Sequence, residues 1–131
     1  MLASTFIQIA AQVDGLHHWP NAGAPDSYLG EPHRHLFVVT VTLQVFHDDR
    51  EIEINAAARW LTALLPTLTD IPRTGDGPID FGAQSCERLA ARVAEELKQR
   101  HGIHRAITVT VLEDGLLGAG ITWKPDPEPH P

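Results

Sequence analysis

Cysteine is almost absent from this chain, which has one, Cys86, in 131 residues. A single cysteine excludes an internal disulfide and fits a reducing compartment, so we expect a cytoplasmic protein. Basic residues are also few, because ten Lys and Arg stand against 17 Asp and Glu, for a net charge of −7. This scattered basic content argues against a nucleic acid or an anionic membrane as partner. No apolar run approaches the length of a membrane span, and no basic segment of a signal peptide precedes the first apolar residues.

The chain is long enough for one hydrophobic core, since 43% of its residues are hydrophobic. It contains no internal repeat. We predict a single domain over residues 1–124, followed by a tail, residues 125–131, in which alternate residues are proline. A segment this rich in proline does not pack against a core, so we expect the tail to be disordered.

The most informative stretch is a predicted strand that opens with His33-Arg34-His35. Beyond it the even positions include threonine and glutamine, and the odd positions are apolar: Phe37, Val39, Val41, Leu43 and Val45. This period of two predicts a β-strand with one buried face. By the same parity His33 and His35 lie side by side on that face, a spacing that suits a metal ion. An H-x-H pair also arises by chance in a chain with eight histidines.

Further histidines precede this strand, at the other end of a loop rich in glycine, proline and alanine. Residues 4–13 alternate in the same way and predict a first strand, and His17-His18 follows it. Two strands joined by this loop would bring the histidines at its two ends together. Adjacent side chains point in opposite directions, so His17 or His18, but not both, can complete a three-histidine site. The alternative interpretation is that these are solvent-exposed loop residues.

The middle of the chain predicts two helices. The first has Asn55 as its N-cap and carries an apolar stripe that consists of Ala57, Trp60, Leu61, Leu64 and Leu65. A short extended piece, residues 51–54, precedes it, and residues 66–82 lack periodicity and predict a loop. The second helix runs from its cap, Ser85, to His101, where Gly102 ends it.

Two further strands, residues 105–113 and 119–124, are predicted around a turn at Asp114-Gly115. The inward residues of the first of these strands are Ile107, Val109 and Val111. Glu113 falls on the same apolar face, where an unpaired carboxylate is costly. Glu113 therefore either lies just beyond the strand end in solvent or meets a hydrogen-bond donor.

These residues resemble the family of 6-pyruvoyltetrahydropterin synthase and bacterial 6-carboxytetrahydropterin synthase, over nearly all of the chain except the tail. The resemblance implies the tunnelling fold, an α+β domain with a four-stranded antiparallel sheet and two helices between strands 2 and 3. In that family a histidine after the first strand joins an H-x-H that opens the second strand to bind zinc. His17, His33 and His35 occupy those places, so the resemblance implies that they bind Zn²⁺ and favours His17 over His18.

The resemblance also implies where a substrate lies. A family segment of Pro-Thr-x-Glu type opens the second helix, and Gln84-Ser85-Cys86-Glu87 stands in its place, so Ser85 and Glu87 are expected near the substrate. The family glutamate that anchors the pterin ring, at the end of the third strand, is matched by Glu113. This role would explain the carboxylate on an apolar face, because the amino and N–H groups of the ring would donate to it.

The chain departs from the family pattern at the catalytic residues. Residues 19–32 contain no cysteine, although family enzymes carry a catalytic one in this loop. The Asp-His pair expected between the helices is reduced to Leu68-Thr69-Asp70, with no histidine after it. Cys86 lies at a helix start, where the helix dipole could lower its pKa, although a small buried residue is the preferred interpretation. The catalytic residue is therefore left unassigned.

Three hypotheses follow for the function. The resemblance implies a zinc-dependent lyase that acts on a pterin such as dihydroneopterin triphosphate, in which zinc polarises side-chain oxygens and eases proton removal from the adjacent carbons. The second hypothesis, which follows from the missing cysteine, is a homologue that binds a pterin or purine-like ring but does not carry out this chemistry. A metal-free assembly module is the third hypothesis. Family members form rings by joining sheets edge to edge, so the resemblance also implies a homo-oligomer.

Overall fold

Two long antiparallel strands form the centre of the sheet in the computed structural model, which describes residues 3–126. The strands are β1 Thr5–His17, β2 His33–Val45, β3 Ile79–Asp80, β4 Ile107–Glu113 and β5 Leu117–Trp123, and the helices are α1 Ile54–Leu64 and α2 Cys86–His101. Short 3₁₀ turns occur at Ser27–Gly30 and Leu65–Thr67. The chain therefore has the predicted α+β class, and both helices lie between β2 and β4. The predicted disordered tail falls outside the described residues, apart from residues 125 and 126.

The sheet has five strands in the order β3-β1-β2-β4-β5 and is mixed. The long strands are antiparallel to their neighbours, whereas β3 runs parallel to β1 through Gly15 and Leu16. The prediction of four antiparallel strands was therefore wrong, because β3 lies within the segment interpreted as a loop. Two residues are too few to show a period, and only the pairing with β1 defines this strand.

The first strand is longer than predicted, since it continues four residues past Val13 to His17. The additional residues pair with the start of β2, where Gly15 lies opposite His35 and His17 opposite His33. Gly15 permits the close packing of two aromatic rings over this part of β1. A Cβ at Gly15 would lie 2.6 Å from the ring of Phe81 and 2.9 Å from that of Phe37.

The helices differ in how well the sequence predicted their ends. α2 begins and ends as predicted, with the Ser85 hydroxyl accepting from the backbone N–H of Arg88 at 3.1 Å and Gly102 at φ 93°. α1 begins earlier, and its N-cap is Glu53 instead of Asn55. The Glu53 carboxylate accepts from the backbone N–H groups of Asn55 and Ala56, so the prediction of Asn55 as the N-cap was wrong. The predicted extended piece, residues 51–54, forms no strand, and its last residue begins α1.

Both helices pack on one face of the sheet and enclose a single core. The most completely buried large side chains come from both layers: Phe37, Leu43, Val41, Leu61, Leu65, Val93, Leu97, Ile107, Val109 and Val111. The predicted apolar stripe of α1 is confirmed, with Trp60 and Leu64 packed at the margin of the core. Within residues 3–126, neither helix is long and apolar enough to cross a membrane.

Candidate metal centre

The register of three strands brings three histidines and a carboxylate to one end of the helix-covered face. His17 lies directly opposite His33 across β1 and β2, and His35 follows His33 on the same face of β2. Glu113, the last residue of β4, lies opposite Phe37, the next residue along that face. The sequence prediction thus placed four side chains that the structure brings together.

The potential ligand atoms of this cluster are close enough to share one ion. One ring nitrogen from each of His17, His33 and His35 and one oxygen of Glu113 all lie within 4.8 Å of one another. The Glu113 Oε2 atom is 2.9 Å from Nε2 of His35 and 3.4 Å from Nε2 of His17. Ligand atoms of a tetrahedral zinc ion with bonds of about 2.0–2.1 Å are about 3.3 Å apart, so the two separations from Glu113 are of the size expected for atoms that share one metal ion.

The second ring nitrogen of each histidine is engaged by the protein. Nδ1 of His17 donates to the backbone carbonyl of Gln84 at 2.9 Å, Nδ1 of His33 to that of Glu31 at 2.9 Å, and Nδ1 of His35 to the carboxylate of Asp114 at 2.7 Å. These oxygens can only accept, which puts a proton on Nδ1, so that in a neutral ring the Nε2 lone pair faces the cluster. Four acceptors facing one another repel unless a cation lies between them, and such outer hydrogen bonds are typical of metal-bound histidines. The cluster could therefore hold a metal ion.

Asp114 supports His35 from the turn that joins β4 and β5. Its carboxylate accepts from His35 and also from the backbone N–H of Leu36 at 2.9 Å. These two donors, with the His35 imidazole contributing most, hold the pKa of Asp114 below its usual range. The residue has φ 56°, a left-handed conformation that Asp and Asn tolerate better than most residues. His35 is thus bracketed by Glu113 and Asp114.

We expect Asp114→Asn to weaken metal binding about tenfold, at the lower end of the range for outer hydrogen-bond partners. Asparagine keeps the backbone conformation, but its one acceptor oxygen serves either His35 or Leu36 well, and its negative charge is lost. Competition against a metal chelator measures the affinity. Asp14→Asn is the matched control, because Asp14 pairs with Arg34 and not with a histidine. Equal affinities in the two variants would show that Asp114 does not support the site.

Gln84 holds the carbonyl that orients His17. Its side-chain amide donates to the backbone carbonyls of Leu68 at 2.8 Å and Phe81 at 3.0 Å, and its oxygen accepts from Arg92 at 2.9 Å. This network fixes the segment before α2 against the end of β1. Sequence reasoning missed Gln84, Glu31 and the support from Asp114, since none of them has a spacing that links it to a histidine. Only Asp114 carried a signal, as a turn residue.

Arg34, between the two histidines of β2, points to the other face of the sheet. Its guanidinium donates to the carboxylate of Asp14, with a 2.7 Å bond from Nε. This hydrogen bond and the positive charge of the guanidinium hold the pKa of Asp14 below its usual range. Because neighbouring strand residues alternate in direction, the arginine leaves the space between His33 and His35 open. The departure from the family's His-Gly-His therefore does not obstruct the cluster.

A cavity of about 500 Å³ opens beside the cluster. The predicted substrate residues Ser85, Glu87 and Glu113 all line it, together with His17 and His33. The other candidate ligand, His18, also lines the cavity but does not belong to the group that could hold a metal. The structure thus brings His17, instead of His18, to the other two histidines.

Cys86 is the one thiol beside this cavity, and it is buried. Burial, followed by the negative charges of Glu113 and Glu87, raises the pKa of the thiol to about 11. These two causes outweigh the lowering of this pKa that a helix start predicts. Asp70, which the resemblance compares with an Asp-His pair, lines an adjoining cavity instead. Neither residue takes the place of a reactive cysteine at physiological pH.

No protein-family model matches this chain, and no curated protein is significantly similar to its sequence. The chemistry of the cluster therefore carries the functional argument. Three neutral imidazoles and a carboxylate can bind a divalent ion, and the adjacent cavity can admit a small molecule to it.

Proposed function

We propose that this protein is a zinc-dependent, tunnelling-fold relative of the pterin synthases that binds a pterin or purine-like ring beside its three histidines. The observation that carries the proposal is the convergence of three imidazole rings on one cluster. In each ring, Nδ1 is hydrogen-bonded to an oxygen of the chain, which leaves Nε2 for an ion. A three-histidine set suits zinc and leaves a position for substrate or water. A cavity opens directly from this cluster, as a substrate site requires.

Glu113 is the residue that we assign to the ring. Its carboxylate faces the histidines and lines the cavity, and its side chain is 25% exposed, so a ligand can reach it. A ring with adjacent amino and N–H groups would donate to it with charge-assisted hydrogen bonds. The ring's side chain would then lie next to the ion. Zinc, when bound, supplies a positive charge that polarises oxygens of that side chain.

A specific observation favours a second candidate, a homologue that binds the ring without the lyase chemistry. The cavity wall from residues 18–29 contributes His18, Trp19 and Leu29, and no thiol. The only cysteine has its pKa raised to about 11, so it is poorly suited to proton transfer at neutral pH. Binding and turnover must therefore be measured separately.

We expect the zinc-loaded protein to bind a pterin while converting dihydroneopterin triphosphate weakly or not at all to the products of the two synthases. Calorimetry with neopterin measures the binding, and chromatographic analysis of the reaction mixture measures the turnover. Chelated, metal-free protein is the control. Robust conversion would show that another residue has taken over the proton transfer, and an absence of any ring binding would contradict the proposed function.

A homo-oligomer formed through sheet edges stays a prediction that the edges of this sheet support. Among the described residues, the outer side of β1 is paired only at Gly15 and Leu16. At the other edge, Leu116 and Leu117 are 80% and 74% exposed at the start of β5. Unpaired edges and exposed leucines favour strand-to-strand association. Light scattering measures the mass of the assembly. The cytoplasmic location also stays a prediction.

A further inference from the structure

The cavity beside the metal centre contains no lysine or arginine. All ten basic residues of the chain lie within residues 3–126, and none of them lines the cavity. Two carboxylates, Glu87 and Glu113, do line it. A divalent ion held by neutral imidazoles beside these two carboxylates leaves the site without net positive charge. This balance is unsuited to a polyanionic ligand.

Three arginines that neighbour the site residues in sequence or line the adjoining cavity lie outside this cavity. Arg88 and Arg92 line the adjoining cavity, and Arg92 donates to the carbonyl of Leu68 and to the side chain of Gln84, both at 2.9 Å. Arg34 pairs with Asp14 on the opposite face of the sheet. None of these three arginines lines the cavity next to the histidines.

The N-terminus of α2 does not replace them. A helix start attracts phosphate through its free N–H groups and its dipole. Here the Ser85 hydroxyl accepts from the N–H of Arg88, and the carboxylate of Glu87 lies in the first turn. A negatively charged side chain thus already occupies the positive end of the helix, where it would repel a phosphate.

We propose that the ligand of this site carries no phosphate, and that it is a pterin with a neutral, hydroxylated side chain. This inference rests on the proposed function and departs from the triphosphate substrate that the resemblance implies. Hydroxyl groups can bind at the metal position without adding negative charge to a cavity that Glu87 and Glu113 already line. A reaction that hydrolyses the phosphate ester would then have to precede this protein.

Calorimetry on the zinc-loaded protein with dihydroneopterin and with dihydroneopterin triphosphate tests the inference. We expect the unphosphorylated compound to bind at least about tenfold more tightly, because several negative charges would lie next to the two carboxylates. The difference should narrow as salt is added, since salt screens exposed charges beyond a Debye length of about 8–10 Å. Triphosphate binding that equals or exceeds that of dihydroneopterin would overturn the inference and leave the proposed function standing. If neither compound binds, both fail.

A charge-reversal variant distinguishes electrostatic repulsion of the triphosphate from steric exclusion. Glu87→Lys should raise the ratio of the triphosphate affinity to the dihydroneopterin affinity about tenfold or more, because one charge that repels the phosphates becomes attractive to them. Glu95→Lys is the matched control, since Glu95 lies on the same helix, does not line the cavity and pairs with Lys98. If neither reversal changes triphosphate binding, charge does not select the ligand and the inference is overturned. Thermal unfolding confirms that both variants are folded.

Discussion

His33→Ala and His35→Ala should each lower zinc affinity by at least about a hundredfold, so that the purified variants lose the roughly one zinc per chain expected of the wild type. Each substitution removes one of three imidazoles that each offer a ring nitrogen within 4.8 Å of the other potential ligand atoms. The outer hydrogen bonds mean that the wild-type imidazoles are already oriented before an ion binds, and alanine offers no substitute ligand. The effect should therefore exceed that of Asp114→Asn, which leaves every ligand in place.

Metal analysis of the purified proteins and chelator competition measure this loss. His18→Ala is the matched control, because His18 neighbours His17 and lines the cavity but lies outside the metal-binding group. This variant should keep its zinc. Full occupancy in both His33→Ala and His35→Ala would refute the metal centre, and loss of zinc in His18→Ala would reassign the third ligand. Circular dichroism confirms that the variants are folded.

The parts of the site that sequence could predict are those set by a period of two. The alternation in β2 places His33 and His35 on the buried face, and the same parity in β4 places Glu113 there. The two central strands meet in the register that sets His17 opposite His33. Residues on one face of neighbouring strands are close whenever the register is right, so local patterns were sufficient for His33, His35 and Glu113, whereas the resemblance was needed to favour His17 over His18.

The outer hydrogen bonds could not be predicted in the same way. Gln84 is 67 positions from His17, and Asp114 is 79 positions from His35. Such contacts depend on how the loop before α2 and the β4–β5 turn pack against the strand ends. The short strand β3 is a similar case, because its two residues are defined by pairing with β1 alone. The local periodicity of hydrophobic residues in the sequence does not indicate these long-range contacts.

Competing local effects explain the remaining differences. Glu53 caps α1, although Asn55 is the more usual type of residue, because the Glu53 carboxylate can accept from two N–H groups of the first turn. At Cys86 the helix start was the visible signal, and burial outweighs it. In both cases residue preference was a weaker influence than the surroundings of the side chain in the folded protein.

Glu113→Gln should weaken the binding of a pterin or guanine-like ring about 5- to 150-fold, which corresponds to about 1–3 kcal/mol for an unmatched hydrogen-bonding group. On a strand whose other inward residues are buried and apolar, the carboxylate faces Nε2 of His35 at 2.9 Å and Nε2 of His17 at 3.4 Å and is open to the cavity. A ring that offers adjacent donors is complementary to two carboxylate oxygens. The glutamine amide replaces one acceptor by a donor, so one ring donor faces another donor and the charge assistance is lost.

The measurement is calorimetry with neopterin at saturating zinc, so that any loss of metal affinity caused by the substitution does not lower ring binding indirectly. Glu95→Gln, on the exposed side of α2, is the control and should bind the ring as the wild type does. The melting temperature should change little, because a glutamine side chain has nearly the size and shape of the glutamate that it replaces. Unaltered ring affinity in Glu113→Gln would remove this residue from the ring site. The carboxylate would then serve the histidines alone, as a fourth ligand beside His17 and His35.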